Sequence, residues 1–308
     1  MGASYGSLLA IKLVAAGHAV TLACLPAEVA AFNGAGARVR FPVKGTDRLV
    51  EVDSRDLPGA LSATVPQDVK PASYDLVVLA MQEPQYRSSG VRELLGAVAK
   101  ARIPCMSIMN MPPPPFLARF PSIDVDACRA CYTDYGIWSG FDPALMTLCS
   151  PDPQAFRPPD QPVNVLQVRL PTNFKAARFP SDAHTAMLRE LADGVEAARF
   201  DTPGGRIELP VKLKVHESAF VPLAKWSMLL AGNYRCVGPD GMRSIRDAVH
   251  GDLAASRAVY EWVARLCMTL GAAADDLVPF EKYANAAQSL LNPSSAARAL
   301  AGGAPNIE

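Results

Sequence analysis

Along the first hundred positions, apolar residues alternate between helical spacing and short unbroken runs. Segment 7–16 (SLLAIKLVAA) carries them at helical spacing and closes on Gly17-His18, with glycine where a helix C-terminus favours it. Segment 19–25 (AVTLACL) is nearly continuous in apolar residues, the pattern of a buried parallel strand. A short helix is expected over 27–32, and strands over 38–43 and 49–52. The clearest buried strand is 75–81 (DLVVLAM), followed by an amphipathic helix over 91–100 and a further buried strand over 103–109 (IPCMSIM). Met111 and the four prolines after it then break the pattern, because proline cannot continue a strand or enter a helix interior.

The stretch 151–162 is proline-rich and loop-like. Strands are expected over 163–168 and 177–179, a helix over 184–198 and a closing edge over 199–202. From about residue 215 onward only helices are expected, over 219–232, 242–249, 252–270, 279–291 and 294–301. Helices between parallel apolar strands make a doubly wound, Rossmann-like α/β sheet the economical fold for 1–210. An all-helical domain is expected over 211–308. A Rossmann sheet is built around a strand that precedes the first helix, and here only Met1 stands before Gly2. The expectation is therefore a sheet lacking its first strand, less stable than the same sheet with that strand supplied, because unpaired strand edges are a liability.

Composition narrows the partners. The chain has 308 residues with 30 Lys plus Arg and 30 Asp plus Glu, so its formal net charge is zero. A neutral surface provides no field to steer nucleic acid or an anionic membrane. No apolar run approaches the roughly 20 residues that span a bilayer, and no basic segment precedes the first apolar stretch as in a secretory signal; a soluble, cytoplasmic protein is expected. The 7 cysteines follow no regular framework, which fits free thiols in a reducing compartment. Cys128-Arg-Ala-Cys131 has the spacing of a redox or half-zinc motif. No second pair follows it and the 4 histidines do not cluster near it, so no metal is expected.

Gly2-Ala-Ser4-Tyr-Gly6-Ser7 opens the first helix. A glycine-rich turn at a helix N-terminus lets backbone N–H groups and the helix dipole meet a pyrophosphate. The spacing is not a clean G-x-G-x-x-G, but helix, Gly-His and apolar strand is the order that follows a dinucleotide fingerprint. The same residues match G-x-S-x-G with Ser4 as a hydrolase nucleophile. That motif needs a preceding strand and upstream oxyanion-hole residues, and neither precedes it here.

Five segments in order resemble the ketopantoate reductase (2-dehydropantoate 2-reductase) family. They are Gly2-Ala-Ser4-Tyr-Gly6-Ser7 with the later AAGHAVTL; Tyr74-DLVVLAM-Gln82; Met106-SIM-Asn110; Lys225-WSMLLAG-Asn233; and Pro293-Ser294-Ser295-AARALAG leading to Asn306-Ile-Glu308. The resemblance implies an NADP- or NAD-dependent reductase of a 2-oxo acid. It implies cofactor contacts at Gly2, Ser4, Gly6, Ser7, Gln82 and Asn110, and substrate contacts at Asn110, Asn233, Ser294 and Ser295. It also implies a catalytic Lys225 assisted by Glu308. The chemistry agrees: such a reduction needs a hydride donor, a proton donor at the carbonyl oxygen and groups that hold a carboxylate. A lysine among Trp, Met and Leu has its ammonium destabilised, which favours proton transfer, and asparagines both donate and accept. Read singly, Lys225 could instead snorkel to the surface and the asparagines could simply end a helix and a strand.

The chain departs from the family at four places. Cys24-Leu25-Pro26 stands where the family has an Arg for the 2′-phosphate of NADP, and Gln82 stands where a Lys is common. Losing both cations removes the charge-assisted bonds that select NADP, while Glu28 comes late for reading an NAD ribose, so both cofactors stay open. Leu229 replaces a second Asn, and Met111 with its prolines replaces a Gly. These changes imply a 2-oxo acid other than ketopantoate, or a related carbonyl compound. The resemblance also implies a strand before Gly2 and a helix continuing past Glu308. The alternatives are a catalytically silent dinucleotide-binding relative and an opine-type or hydroxy-acid dehydrogenase of the same architecture. Helical domains of this kind often pair, so a homodimer is the partner to consider beside the small-molecule substrate.

Overall fold

The computed structural model describes residues 1–45, 48–239 and 241–304. The chain divides into two compact units, Met1–Glu217 and Ser218–Glu308.

The N-terminal unit opens with α1 (Ala3–Ala15), β1 (Ala19–Ala23), α2 (Pro26–Ala35), β2 (Arg38–Pro42), β3 (Leu49–Asp53), β4 (Ala60–Thr64) and β5 (Val77–Leu79). It continues with α3 (Val91–Ala101), β6 (Cys105–Ile108), the short α4 (Pro114–Leu117), β7 (Met146–Ser150), β8 (Gln154–Phe156), β9 (Val165–Leu170) and β10 (Phe174–Ala177). It closes with α5 (Asp182–Ala197), the ribbon β11 (Phe200–Thr202) and β12 (Gly205–Ile207), and β13 (Leu213–His216). A five-stranded sheet runs in the order β13-β10-β7-β6-β5, parallel except between β7 and β10. All residues of β6 and β7 are buried, as expected of strands covered on both faces. Among the described residues β1 pairs in parallel with β4 alone, and β3-β2-β9-β8 forms a separate mixed sheet.

Among the described residues no strand precedes α1. The backbone of residues 1 and 2 spans the two sheet pieces instead. The Met1 nitrogen donates to the Val78 carbonyl at 2.6 Å, the Met1 carbonyl accepts from Ala80 N–H at 2.9 Å, and Gly2 N–H donates to the Ala23 carbonyl at 3.1 Å.

Helix α1 is apolar nearly all round, which makes it a core helix rather than a surface one. Leu8, Leu9, Ile11 and Val14 are all buried, and the helix packs on β1, β4, β2, β8 and β9. One position breaks its apolar character. Lys12 is 1% exposed, and its ammonium donates at 3.0 Å to the carbonyls of both Leu209 and Pro210. Those carbonyls lead into Val211, a β-branched residue held at a φ of 66°. Burial, with Lys212 nearby, pushes the Lys12 ammonium down to about 7. The unfolded chain then binds one more proton than the folded chain between pH 7 and the usual lysine range. Stability is therefore expected to rise as pH increases through that window. Lys12→Met should flatten this rise, as measured by urea unfolding at pH 7 and pH 9.

The C-terminal unit has helices α6 (Lys225–Met228), α7 (Ile245–His250), α8 (Leu253–Thr269), α9 (Phe280–Ala287) and α10 (Ser295–Ala301). Three of these start on a side chain that accepts from the first turn: Ser244 from Asp247 N–H, Asp252 from Ala255 N–H, and Ser294 from Ala297 N–H. Tyr260, Phe280, Tyr283, Val249 and Ala287 form its core. The sequence suggested one helix over 219–232, but the chain changes winding there. A 3₁₀ turn (Val221–Ala224) precedes α6, and a π turn (Leu229–Asn233) follows it. Two further expectations are corrected: strand structure continues through β13, and a minimal ribbon β14 (Val237–Gly238) and β15 (Gly241–Met242) interrupts the helices.

Candidate functional site

The C-terminal ends of β1 and β5 meet at the start of α1, with β6 beside β5 in parallel. Gly2 makes that approach possible. Its φ is 92°, and a Cβ there would lie 2.4 Å from Met81 Cγ and 2.7 Å from the Ala80 carbonyl oxygen. Only a residue without a side chain brings the helix end this close to the end of β5. Helix α1 then starts with no capping side chain and no acidic residue in its first turn, which leaves its first N–H groups and positive dipole end for an anion. Ser4 is exposed in that turn, whereas Ser7 is buried and donates its hydroxyl to the Ser4 carbonyl at 2.9 Å. A Cβ on Gly6 would meet Leu22 and Ala80 only at ordinary contact distances of 3.7 and 3.9 Å, so the close approach is required at Gly2 and not at Gly6.

After β5, Gln82 is exposed, and its N–H donates to Gln85 Oε1 at 2.9 Å to start a short 3₁₀ turn. Behind it Tyr86 is fully buried, accepts from Met81 N–H at 3.1 Å and has its hydroxyl pushed above its usual range by burial. Glu83 is 3% exposed and accepts from Thr133, at 2.8 Å from the hydroxyl and 3.2 Å from the N–H. One strand over, Asn110 follows β6, and its Oδ1 is buried with no hydrogen-bond partner among the described residues. A buried polar atom without a partner costs free energy, so such an atom at a strand end points to a donor that is brought from outside.

The end of β1 shows a residue that the sequence did not suggest. Arg157, immediately after β8, pairs with the Glu28 carboxylate at 2.6 Å. Glu28 also accepts from Leu25 N–H at 2.9 Å, so it starts α2 and holds the arginine next to the β1 terminus. The Cys24 thiol is pushed up to about 11 by burial and by Glu28, with Arg157 opposing. Nη2 of Arg157 is buried without a partner among the described residues. A cation thus stands near Cys24-Leu25-Pro26, where consecutive sequence holds none. The nearest signal was an arginine in the proline-rich stretch 151–162, and nothing local places that stretch beside β1.

In the C-terminal unit, Lys225 begins α6 and Asn233 ends the π turn, with Leu229 buried between them. Eight residues along an α-helix are about 80° out of phase, whereas seven are within about 20° of two full turns. A π turn takes up one extra residue, so Lys225 and Asn233 stand as i and i+7 on one face of the segment. Tyr283 supports the turn by donating to the Met228 carbonyl at 3.2 Å. The Ser294 hydroxyl donates to the Asn233 carbonyl at 2.6 Å while accepting from Ala297 N–H, so it fastens α10 to the end of the π turn. Ser295 is exposed in the first turn of α10. Glu308 lies outside the described residues. The implied residues therefore form two groups, one in each unit: Gly2, Ser4, Gly6, Ser7, Gln82 and Asn110 in the first, and Lys225, Asn233, Ser294 and Ser295 in the second. The described residues hold no group of three or more His, Cys, Asp or Glu that could bind a metal, and no helix among them is long and apolar enough to cross a membrane.

No protein-family model matches the chain, and no curated protein matches it. Solved structures do. A 2-dehydropantoate 2-reductase from Methylococcus capsulatus superposes with a TM-score of 0.65 at 13% identity, over 99% of this chain and 83% of that one. A candidate ketopantoate reductase from Ralstonia solanacearum MolK2 does so with a TM-score of 0.56 at 14% identity, over 94% of this chain and 81% of that one. At such identities the likeness establishes the fold: a mixed α/β unit with parallel sheets, followed by a helical region.

Proposed function

We propose that this chain, which has the fold of the 2-dehydropantoate 2-reductases, is a nicotinamide-dinucleotide-dependent reductase of a 2-oxo acid. One juxtaposition carries the reading: an uncapped helix N-terminus opened by Gly2 against β5, with the partnerless Oδ1 of Asn110 at the next strand end. The residues fit such a cofactor. The first turn of α1 suits a diphosphate, because its N–H groups face no carboxylate of the chain's own first turn. Asn110 Oδ1 suits an amide donor. When bound, the reduced nicotinamide supplies the hydride.

The remaining steps belong to side chains of the second unit. Lys225 donates the proton to the substrate's carbonyl oxygen. Asn233, on the same face, and Ser295 hold the carboxylate, and Ser294 positions Asn233 through its carbonyl. Glu308 is assigned the bond to Lys225 or to the product hydroxyl. With Leu229 where the family carries a second Asn, and Met111 with its prolines after Asn110, the substrate is a 2-oxo acid other than ketopantoate.

The test is a fluorescence titration of the full chain with NADPH and NADH in parallel. Saturable binding of either supports the proposal, and binding of neither overturns it. Arg157 favours NADPH as the tighter ligand, since a guanidinium near the β1 end is the group that would meet a 2′-phosphate. Arg157→Gln is then expected to weaken NADPH binding about tenfold or more, the scale of one charge-assisted hydrogen bond, and to leave NADH binding nearly unchanged. Equal losses for both cofactors would show that the arginine serves only its pairing with Glu28.

A further inference from the structure

The connection between β6 and β7 contains the Cys128-x-x-Cys131 pair, which the proposed reaction does not use. Its backbone forms a closed turn: Cys131 N–H donates to the Cys128 carbonyl at 2.9 Å, and Arg129–Cys131 is a 3₁₀ helix. Residues i and i+3 of such a turn have Cα atoms less than about 7 Å apart, and a disulfide spans about 4.4–6.8 Å between Cα atoms. Cys131 is exposed and Cys128 half-buried, whereas the remaining five cysteines, Cys24, Cys105, Cys149, Cys236 and Cys267, are all buried. Burial, Cys131 and Asp124 push the Cys128 thiol up, which identifies the more accessible Cys131 as the first to react.

The residues after the turn couple the pair to the cofactor-side loops. Tyr132 is buried and donates its hydroxyl to the Pro112 carbonyl at 2.7 Å, two residues past Asn110. Thr133 donates to Glu83, next to Gln82. The two residues directly after Cys131 thus brace the loops that follow β6 and β5. Arg129 steadies the other side of the turn, with its guanidinium 4.3 Å from the Tyr135 ring centroid and 2.8 Å from Asp126.

We propose that Cys128 and Cys131 are a reversible dithiol–disulfide site whose oxidation state is transmitted through Tyr132 and Thr133 to the loops carrying Asn110 and Gln82. The oxidant is a low-molecular-weight disulfide. The Cys131 thiolate, having lost its proton, attacks one sulfur and expels the other half as a thiolate, which takes that proton. Cys128 then loses its proton and attacks the Cys131 sulfur of the mixed disulfide, expelling the second half as a thiolate, which takes that proton. Two cysteine thiols are oxidised by two electrons, and one small disulfide is reduced to two small thiols. Only the identity of the ligand held by the two loops rests on the proposed function.

The experiment treats the full chain with oxidised glutathione, quenches with acid and maps peptides by mass. Loss of two hydrogens confined to the 128–131 peptide and reversed by dithiothreitol is expected, with Cys128→Ser stopping at a glutathione adduct on Cys131. Amide exchange at Gln82, Glu83, Gln85 and Tyr86 and at Asn110 and Met111, the residues of the two loops that carry an N–H, should differ several-fold between the two states of the wild type. It should be insensitive to glutathione in the Cys128→Ser/Cys131→Ser double variant. A glutathione adduct that persists on the wild type, or no reaction at either cysteine, overturns the disulfide. A disulfide that forms with exchange unchanged at both loops overturns the transmission. A dithiol that switches as described in a chain that binds neither NADPH nor NADH supports this site while removing the proposed function.

Discussion

Lys225→Ala is expected to lower 2-oxo acid turnover by a factor of about 10²–10⁴, the range that one positioned general acid contributes. Converted at 1.36 kcal/mol per tenfold, that is a loss of about 3–5 kcal/mol of transition-state stabilisation. Dinucleotide affinity should stay within about twofold of the wild type, because the residues proposed to hold the cofactor and Lys225 belong to different units. The two quantities are read separately, by single-turnover oxidation of NADPH and by fluorescence titration. Lys225→Arg should not restore the rate, since a guanidinium keeps its proton at any working pH. Full turnover in the alanine variant would remove Lys225 from the mechanism. A wild type that binds the dinucleotide and turns over no 2-oxo acid would identify the silent relative instead.

The second large effect is structural and bears on the same segment. A Cβ on Gly232 would lie 1.9 Å from the Tyr283 hydroxyl and 3.2 Å from Cζ of the same ring and from Val249 Cγ2. Tyr283 has little room to yield. It stacks on Tyr260 at 5.3 Å between ring centroids, and it donates to the Met228 carbonyl where the chain passes into the π turn. Gly232→Ala should therefore destabilise the chain by about 1–3 kcal/mol, the usual cost of overpacking, seen as a lower urea midpoint with unchanged slope. Adding Tyr283→Phe removes the atom in closest conflict and should recover part of the loss. No recovery would mean that the strain lies in the backbone and not in the ring. Either result also reports on Lys225 and Asn233, whose common face depends on this turn.

These two expectations differ in how much of them could be read from consecutive residues. Lys225 and Asn233 are visible in the sequence as polar positions on an apolar helical run. The π turn that brings them into phase is not, because it depends on Tyr283, far along the chain, filling the space beside Gly232. Ser294 illustrates the same point. Its serine-cap pattern is local, and its bond to the Asn233 carbonyl is not. The proposed cofactor end behaves similarly: the glycine-rich opening of the first helix is visible in the sequence, but the approach of Gly2 to Ala80 and Met81 required the strands to be arranged.

Elements written as a strong period in neighbouring residues were readable within a few positions: α1, β1, β5, α3, β6, α5 and α8 all lie on apolar patterns of the expected kind. β4 (ALSAT) has one large apolar side chain, Leu61, among small ones and a mixed burial pattern, so it carries little period of its own and is recognised by its parallel pairing with β1. Arg157 lies far in sequence from the Glu28 it pairs with, and the Cys128–Cys131 turn gains its significance from Pro112 and Glu83. Hydrophobic periodicity is local and is set by each element's own geometry, so it survives in a bare string of residues. Which strand edge is paired, which charge meets which and which backbone group finds a donor are settled only when distant segments are buried together. The cost of leaving buried polar groups unpaired then selects one arrangement.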